Sequence, residues 1–198
     1  MRNVGIAAFA AGVMLSVPAF AQGWFEYRNM DDHFSINFPG EPAIENDYAY
    51  NAEDGQRPAD AEGEAHARRY EAREGDNRYT VIVVDYGEIT HTTTLKGAVA
   101  WAASQYRHLG EVTFDNYAHI DRLDGHQLQI LLPTDRRLYV GMYMHYPDRK
   151  LYILEAESPL SAPPPQHFTA ALQVLDDEGD SIRYVIDEFG NATREENR

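Results

Sequence analysis

His119, Asp121 and His126 lie close together in the segment AHIDRLDGHQL, and imidazole and carboxylate groups are ligands for zinc or copper. A hairpin turning at Asp124-Gly125, with Leu123 opposite His126, would set all three on one face of a two-stranded ribbon. In that register Asp121 would face Leu128 and His119 would face Ile130, the composition of an ordinary half-buried sheet. Surface or sheet histidines are therefore the plainer reading, and metal binding is the alternative. A second acidic group, Asp176-Asp177-Glu178-Gly179-Asp180, lacks the glycine and acid positions of a calcium loop and reads as a turn. Trp101 and His108 share a flank of a helix, well away from its apolar stripe, and form a candidate partner-binding pair. Arg68-Arg69 and Arg136-Arg137 stand out from an acidic background as strand-edge and turn cations that pair with neighbouring acids. Nucleophilic catalysis has little support. There is no cysteine and no Gly-x-Ser-x-Gly, and Ser35, Ser104, Ser158, Ser161 and Ser181 carry no local signature. The expectation is a non-catalytic protein needing no cofactor.

The elements that position these residues follow from hydrophobic period. HFSINFPGEP alternates Phe34, Ile36 and Phe38 against His33, Ser35 and Asn37, the pattern of a strand with one apolar face. Pro39 has no N–H to continue a ladder, so the chain leaves the sheet there, and the strand is expected at or near an edge. RYTVIVVDY (78–86) and LYVGMYMHY (138–146) are apolar on both sides, which predicts central strands covered on both faces, and LYILEAES (151–158) follows as a further strand. Between them, Leu95, Ala98, Val99, Ala102, Tyr106 and Leu109 recur at helical spacing, with a threonine of 92–94 as cap and Gly110 as a left-handed stop. A short helix is expected near Gln166–Leu172, and a last hairpin turns at Glu178-Gly179. Residues 45–64 are acidic and nearly free of aliphatic side chains, a mobile loop that could hold a short strand around Tyr48–Tyr50, and the tail 190–198 is expected to fray. An antiparallel sheet buried on both faces implies an α+β fold, a three-layer α/β/α sandwich in a single domain, residues 22–198.

Residues 1–21 have the form of a signal peptide. Arg2 precedes an apolar run to Val17, Pro18 breaks it, and Ala19-Phe20-Ala21 offers small residues for cleavage. The run is shorter than the roughly 20 apolar residues of a spanning helix. A periplasmic or secreted protein is thus expected, without membrane insertion once the leader is removed. With no cysteine, its stability must come from a packed core. The formal charge of −15 argues against nucleic acid and anionic membrane surfaces as partners.

Trp24-Phe25 and Tyr27, then HFSINFPGEP, Tyr152 in KLYILEAES and HFTAALQVLDDEG follow one another in an order that resembles the PsbP/Mog1-like superfamily, in particular its exported bacterial members. Ala170-Ala171 departs from the serine usual in that last motif. The resemblance implies an antiparallel sheet flanked by helices and an accessory, partner-binding role. The expectation is an accessory protein of the bacterial envelope, monomeric or weakly associating, with an envelope protein as partner. A periplasmic metal- or small-ligand-binding protein is the second reading, and a hydrolase whose site assembles only in three dimensions is the third.

Overall fold

The computed structural model describes residues 23–50, 66–87, 92–121, 123–186, 188 and 192–194. The expected signal peptide and most of the acidic loop lie outside them. Among the described residues no helix is long and apolar enough to cross a membrane.

The fold is mostly β. Strands β1 (Phe25–Asn29), β2 (Phe34–Phe38), β3 (Ala43–Glu45), β4 (His66–Glu74) and β5 (Asn77–Asp85) precede the helix α1 (Thr92–Tyr106). Strands β6 (Glu111–Ile120), β7 (Leu123–Leu132), β8 (Arg136–His145) and β9 (Lys150–Pro159) follow it as an antiparallel meander. A one-turn 3-10 helix (Phe168–Ala170), β10 (Gln173–Val174) and a small ribbon of β11 (Tyr184–Ile186) and β12 (Ala192–Arg194) complete the chain. The tail expected to fray thus contributes β12 to this ribbon. The main sheet has seven strands in the order β3-β4-β5-β9-β8-β7-β6, and a three-stranded sheet has the order β1-β2-β10.

This architecture overturns the expected α/β/α sandwich. Double-sided strands do demand cover on both faces, and both are covered, but one cover is a sheet. Tyr70, Val81, Val83, Tyr143, Tyr152 and Leu154 of the main sheet pack against Phe34, Ile36 and Phe38 of β2 and Phe168 of the 3-10 turn. The opposite face carries Ile82, Val84, Val140, Met142, Met144 and Ile153, which pack under Leu95, Ala98 and Ala102 of α1. Apolar alternation in the buried strands records that a neighbour exists and not whether it is helix or sheet. The second expected helix is only the single 3-10 turn. Strand β2 is also not at an edge, since β1 pairs with it on one side and β10 on the other.

The turns depart from expectation in one informative place. Strands β6 and β7 pair Ile120 with Leu123 and Ala118 with Gly125, so the hairpin turns directly after Ile120, at Asp121, and Asp124-Gly125 lies within β7. Gly125 is required there by packing. A Cβ at this position would lie 2.4 Å from both the Met142 carbonyl oxygen and the Tyr143 ring. Gly110 is likewise a contact glycine: its backbone φ is not positive, and a Cβ would meet Leu131 O at 2.2 Å. The tight hairpin positions fall instead to Asp121, Asp135 and Arg149, with φ of 42°, 56° and 55°.

The two sheets are joined through Asp32, in the β1–β2 connection and 1% exposed. Its carboxylate accepts hydrogen bonds from Arg68 and Tyr70 of β4, with Lys150 Nζ at 3.9 Å. Its backbone carbonyl accepts from Tyr152 Oη at 2.9 Å, and its N–H donates to Asn29 Oδ1 at 2.7 Å. A buried carboxylate is tolerable only with such partners.

Candidate functional site

Where α1 crosses the main sheet, its C-terminal half and the segment after β3 leave a cavity of about 540 Å³. Its walls include Trp101, Tyr106 and His108 from α1 and the residues just beyond it, Tyr48 and Tyr50 from the chain leaving β3, and Glu155 from β9. Tyr48 is held in place by its N–H, which donates to Ala67 O at 3.0 Å. The Tyr50 and Trp101 rings meet edge to face, with centroids 5.6 Å apart. Arg69 lies over the Tyr48 ring at 5.2 Å and pairs with Glu45 at 3.0 Å. The Trp101 indole N–H is buried without a hydrogen-bond partner among the described residues.

Glu155 faces α1 because β9 alternates. Tyr152, Leu154 and Ala156 turn toward the small sheet, and Ile153 and Glu155 turn toward the helix. Its Oε1 accepts a hydrogen bond from Tyr106 Oη at 2.5 Å. Burial lifts the Glu155 carboxyl above its ordinary value, against the opposing pull of the Tyr106 hydroxyl and the Arg78 charge. Burial also pushes the Tyr106 phenol well up, reinforced by the Glu155 charge. Tyr106 is therefore the donor in the pair. The nearby bases have acids of their own: Arg78 and Arg136 both bind Glu157.

The candidate partner-binding pair, Trp101 and His108, thus falls on one wall of this cavity. The candidate metal ligands are not brought together. His126 Nε2 sits 2.5 Å from Asp115 Oδ1, and Arg107 binds the same carboxylate with Nε at 2.6 Å and Nη2 at 3.0 Å. His119 is exposed, with Nδ1 3.4 Å from Asp124, and Asp121 occupies the hairpin turn. No metal-holding group of histidine and acid residues occurs among the described residues. The shifted hairpin register accounts for this, because it moves Asp121 out of the ladder. The Arg107 guanidinium holds the Asp115 carboxyl down at about 2, aided by His126.

No known protein family and no curated protein matches the chain. The site's chemistry is therefore read from its own residues.

Sequence reasoning missed Glu155, Tyr106 as its donor, and Tyr48 and Tyr50. A signal for Glu155 was present: it is an acid at a position where the two-sided strand LYILEAES should bury a side chain. Tyr48 and Tyr50 stand out in the sequence only as a candidate short strand in the acidic stretch, with nothing there to place them against α1.

A further histidine cluster lies on the other side of the molecule. His33 Nδ1 and His145 Nδ1 lie 3.3 and 2.9 Å from the same Asp148 Oδ2, and His33 Nε2 is 3.6 Å from Asp177. Burial lowers the His145 imidazole from its ordinary value of 6.5, and the Asp148 charge opposes the shift. The adjoining cavity, near Tyr184 and Leu172, holds only about 10 Å³, too little for a ligand.

Proposed function

We propose that this protein is a non-catalytic binding module that receives a small ligand in the cavity between α1 and the seven-stranded sheet. The observation that carries the reading is a partly buried carboxyl, Glu155, set in a wall of tyrosine and tryptophan within a cavity of about 540 Å³. That volume is in the range of small-molecule sites, which combine apolar and aromatic walls with few polar groups. Removal of residues 1–21 and action in the bacterial envelope belong to the same proposal, and N-terminal sequencing of the mature protein checks the cleavage. The test of the site uses Trp101 as reporter. The chain has two tryptophans, so a Trp24→Phe variant leaves Trp101 alone in the emission spectrum. Native mass spectrometry of freshly purified protein, followed by titration with a fragment library, is expected to show a ligand that shifts Trp101 emission. Emission unmoved by every fragment, with no ligand retained, refutes the reading.

A second reading keeps the accessory role expected from the resemblance to PsbP/Mog1-like proteins. Strand β6 ends the main sheet with a ten-residue edge, on which Phe114 and Tyr117 are 41% and 82% exposed. A partner strand can add to such an edge through main-chain hydrogen bonds. Proline substitution at Asn116 is expected to abolish cross-linking to an envelope partner, and undiminished cross-linking argues against this surface.

A further inference from the structure

Resting on the ligand-binding reading, we infer that the cavity ligand is a small organic cation, of the quaternary or alkylated ammonium class. Three features converge on this chemistry. First, the wall is aromatic: Tyr48, Tyr50, Trp101 and Tyr106 all border the cavity, and aromatic rings attract cations that shed little hydration. Second, one of these rings already attracts a cation, since the Arg69 guanidinium rests 5.2 Å from the Tyr48 ring centroid. Third, Glu155 is the carboxyl bordering the cavity, and its hydrogen bond comes from the neutral Tyr106 hydroxyl. The neighbouring cations are matched elsewhere, Arg69 by Glu45 and Arg78 by Glu157. An arriving ammonium group thus meets a carboxyl whose charge no ion pair of its own offsets among the described residues. The net charge of −15 adds a long-range field that concentrates cations at the surface.

The same geometry rules against anions and strongly hydrated inorganic cations. An anion would meet the Glu155 carboxyl, while the nearby guanidinium groups of Arg69 and Arg78 are already paired with Glu45 and Glu157. A divalent metal needs several oxygen or nitrogen ligands, and the described residues gather no such set. A methylated ammonium is satisfied by aromatic rings and one carboxylate, and Tyr48, Tyr50, Trp101, Tyr106 and Glu155 border the cavity.

The groups facing Glu155 are Tyr106 from α1, Tyr48 from the segment after β3, Arg69 from β4, Arg78 from β5 and Glu157 on its own strand. Burial dominates among them and favours the neutral acid. Cation binding must therefore strengthen as pH rises above the ordinary carboxyl range, with release of a proton from Glu155.

The test is calorimetric titration of the full-length protein with choline, tetramethylammonium and 3,3-dimethylbutan-1-ol, the uncharged isostere of choline. The two cations are expected to bind and the isostere to fail. Glu155→Gln, which keeps an acceptor for Tyr106, is expected to weaken choline by roughly tenfold or more, and Trp101→Leu by a similar factor. Equal binding of choline and its isostere overturns the inference while leaving the cavity as a ligand site. The inference also falls if only neutral or anionic fragments shift Trp101 emission. Absence of heat from both cations overturns it as well, and the fragment titration then decides separately whether the cavity binds anything.

Discussion

Replacing Asp32 tests whether the two sheets are joined as described. Asp32→Ala removes the acceptor for Arg68 and Tyr70, strands the hydroxyl of buried Tyr70, and leaves the buried Lys150 ammonium its bond to the Asp31 carbonyl but no nearby Asp32 charge. Truncating one side of a buried charged network costs about 3–5 kcal/mol. Arg68 is about one-third exposed and can recover water, so the lower half of that range applies, about 3–4 kcal/mol. For a chain of this size that corresponds to a fall in Tm of roughly 6–16 °C. Asp32→Asn separates shape from charge. Its amide oxygen can still accept from Arg68, and its NH2 can donate to Tyr70 Oη, which is able to accept. Its expected cost is only the charge assistance of those bonds, about 1–2 kcal/mol. Urea denaturation followed by circular dichroism measures both variants, and Tyr70→Phe closes a double-mutant cycle with Asp32→Asn. A coupling of about 1 kcal/mol is expected. The reasoning is refuted if Asp32→Ala costs under about 1 kcal/mol, or if the Asn and Ala variants are equally destabilised.

Three further outcomes follow from the same structure. His145 is held neutral by burial, so the unfolded chain binds more protons than the folded one below pH 6.5. Stability from this group is full above that value and is lost as pH falls toward the depressed folded value, and His145→Gln should flatten that part of a pH–stability curve. Gly125→Ala forces a Cβ to 2.4 Å from a backbone oxygen and an aromatic ring, so denaturation should show a loss of about 3 kcal/mol or more. Gly97→Ala has open space around it on α1 and should raise stability by about 0.5–1 kcal/mol in the same assay.

Elements with a strong period were legible in the sequence. The helix, the double-sided strands β5 and β8, the strand β9, and the turns at 134–135 and 147–149 all follow from local pattern and turn chemistry. What failed was information that the chain does not carry locally. Strand β10 is two residues long, and the alternation of Phe25 and Tyr27 with Glu26 and Arg28 is too short to name a partner, so nothing near either predicts that they flank HFSINF. The Asp-Gly at 124–125 resembles a turn strongly, yet that glycine is there to admit the Tyr143 ring. Trp101 and His108 could be picked out as residues off the helix stripe. Glu155 and Tyr48, which meet them across the cavity, come from far along the chain, and only the strand order brings them together.

The placement of β10 bears on how the chain acquires its fold. Phe34 and Ser35 lie opposite Val174 and Gln173, so the small sheet is closed by segments from early and late in the chain. Such distant pairings raise contact order and slow folding, because loop closure precedes any gain from packing. Until residues 173–174 arrive, β2 has one unpaired side, and Phe34, Ile36 and Phe38 lack part of their cover. The apolar layer laid over the Tyr70–Tyr152 face is then expected to be completed late. An intermediate with α1 docked and that face open would bind hydrophobic dyes and be vulnerable to strand exchange between molecules. A chain shortened before Gln173 is expected to stay in that state.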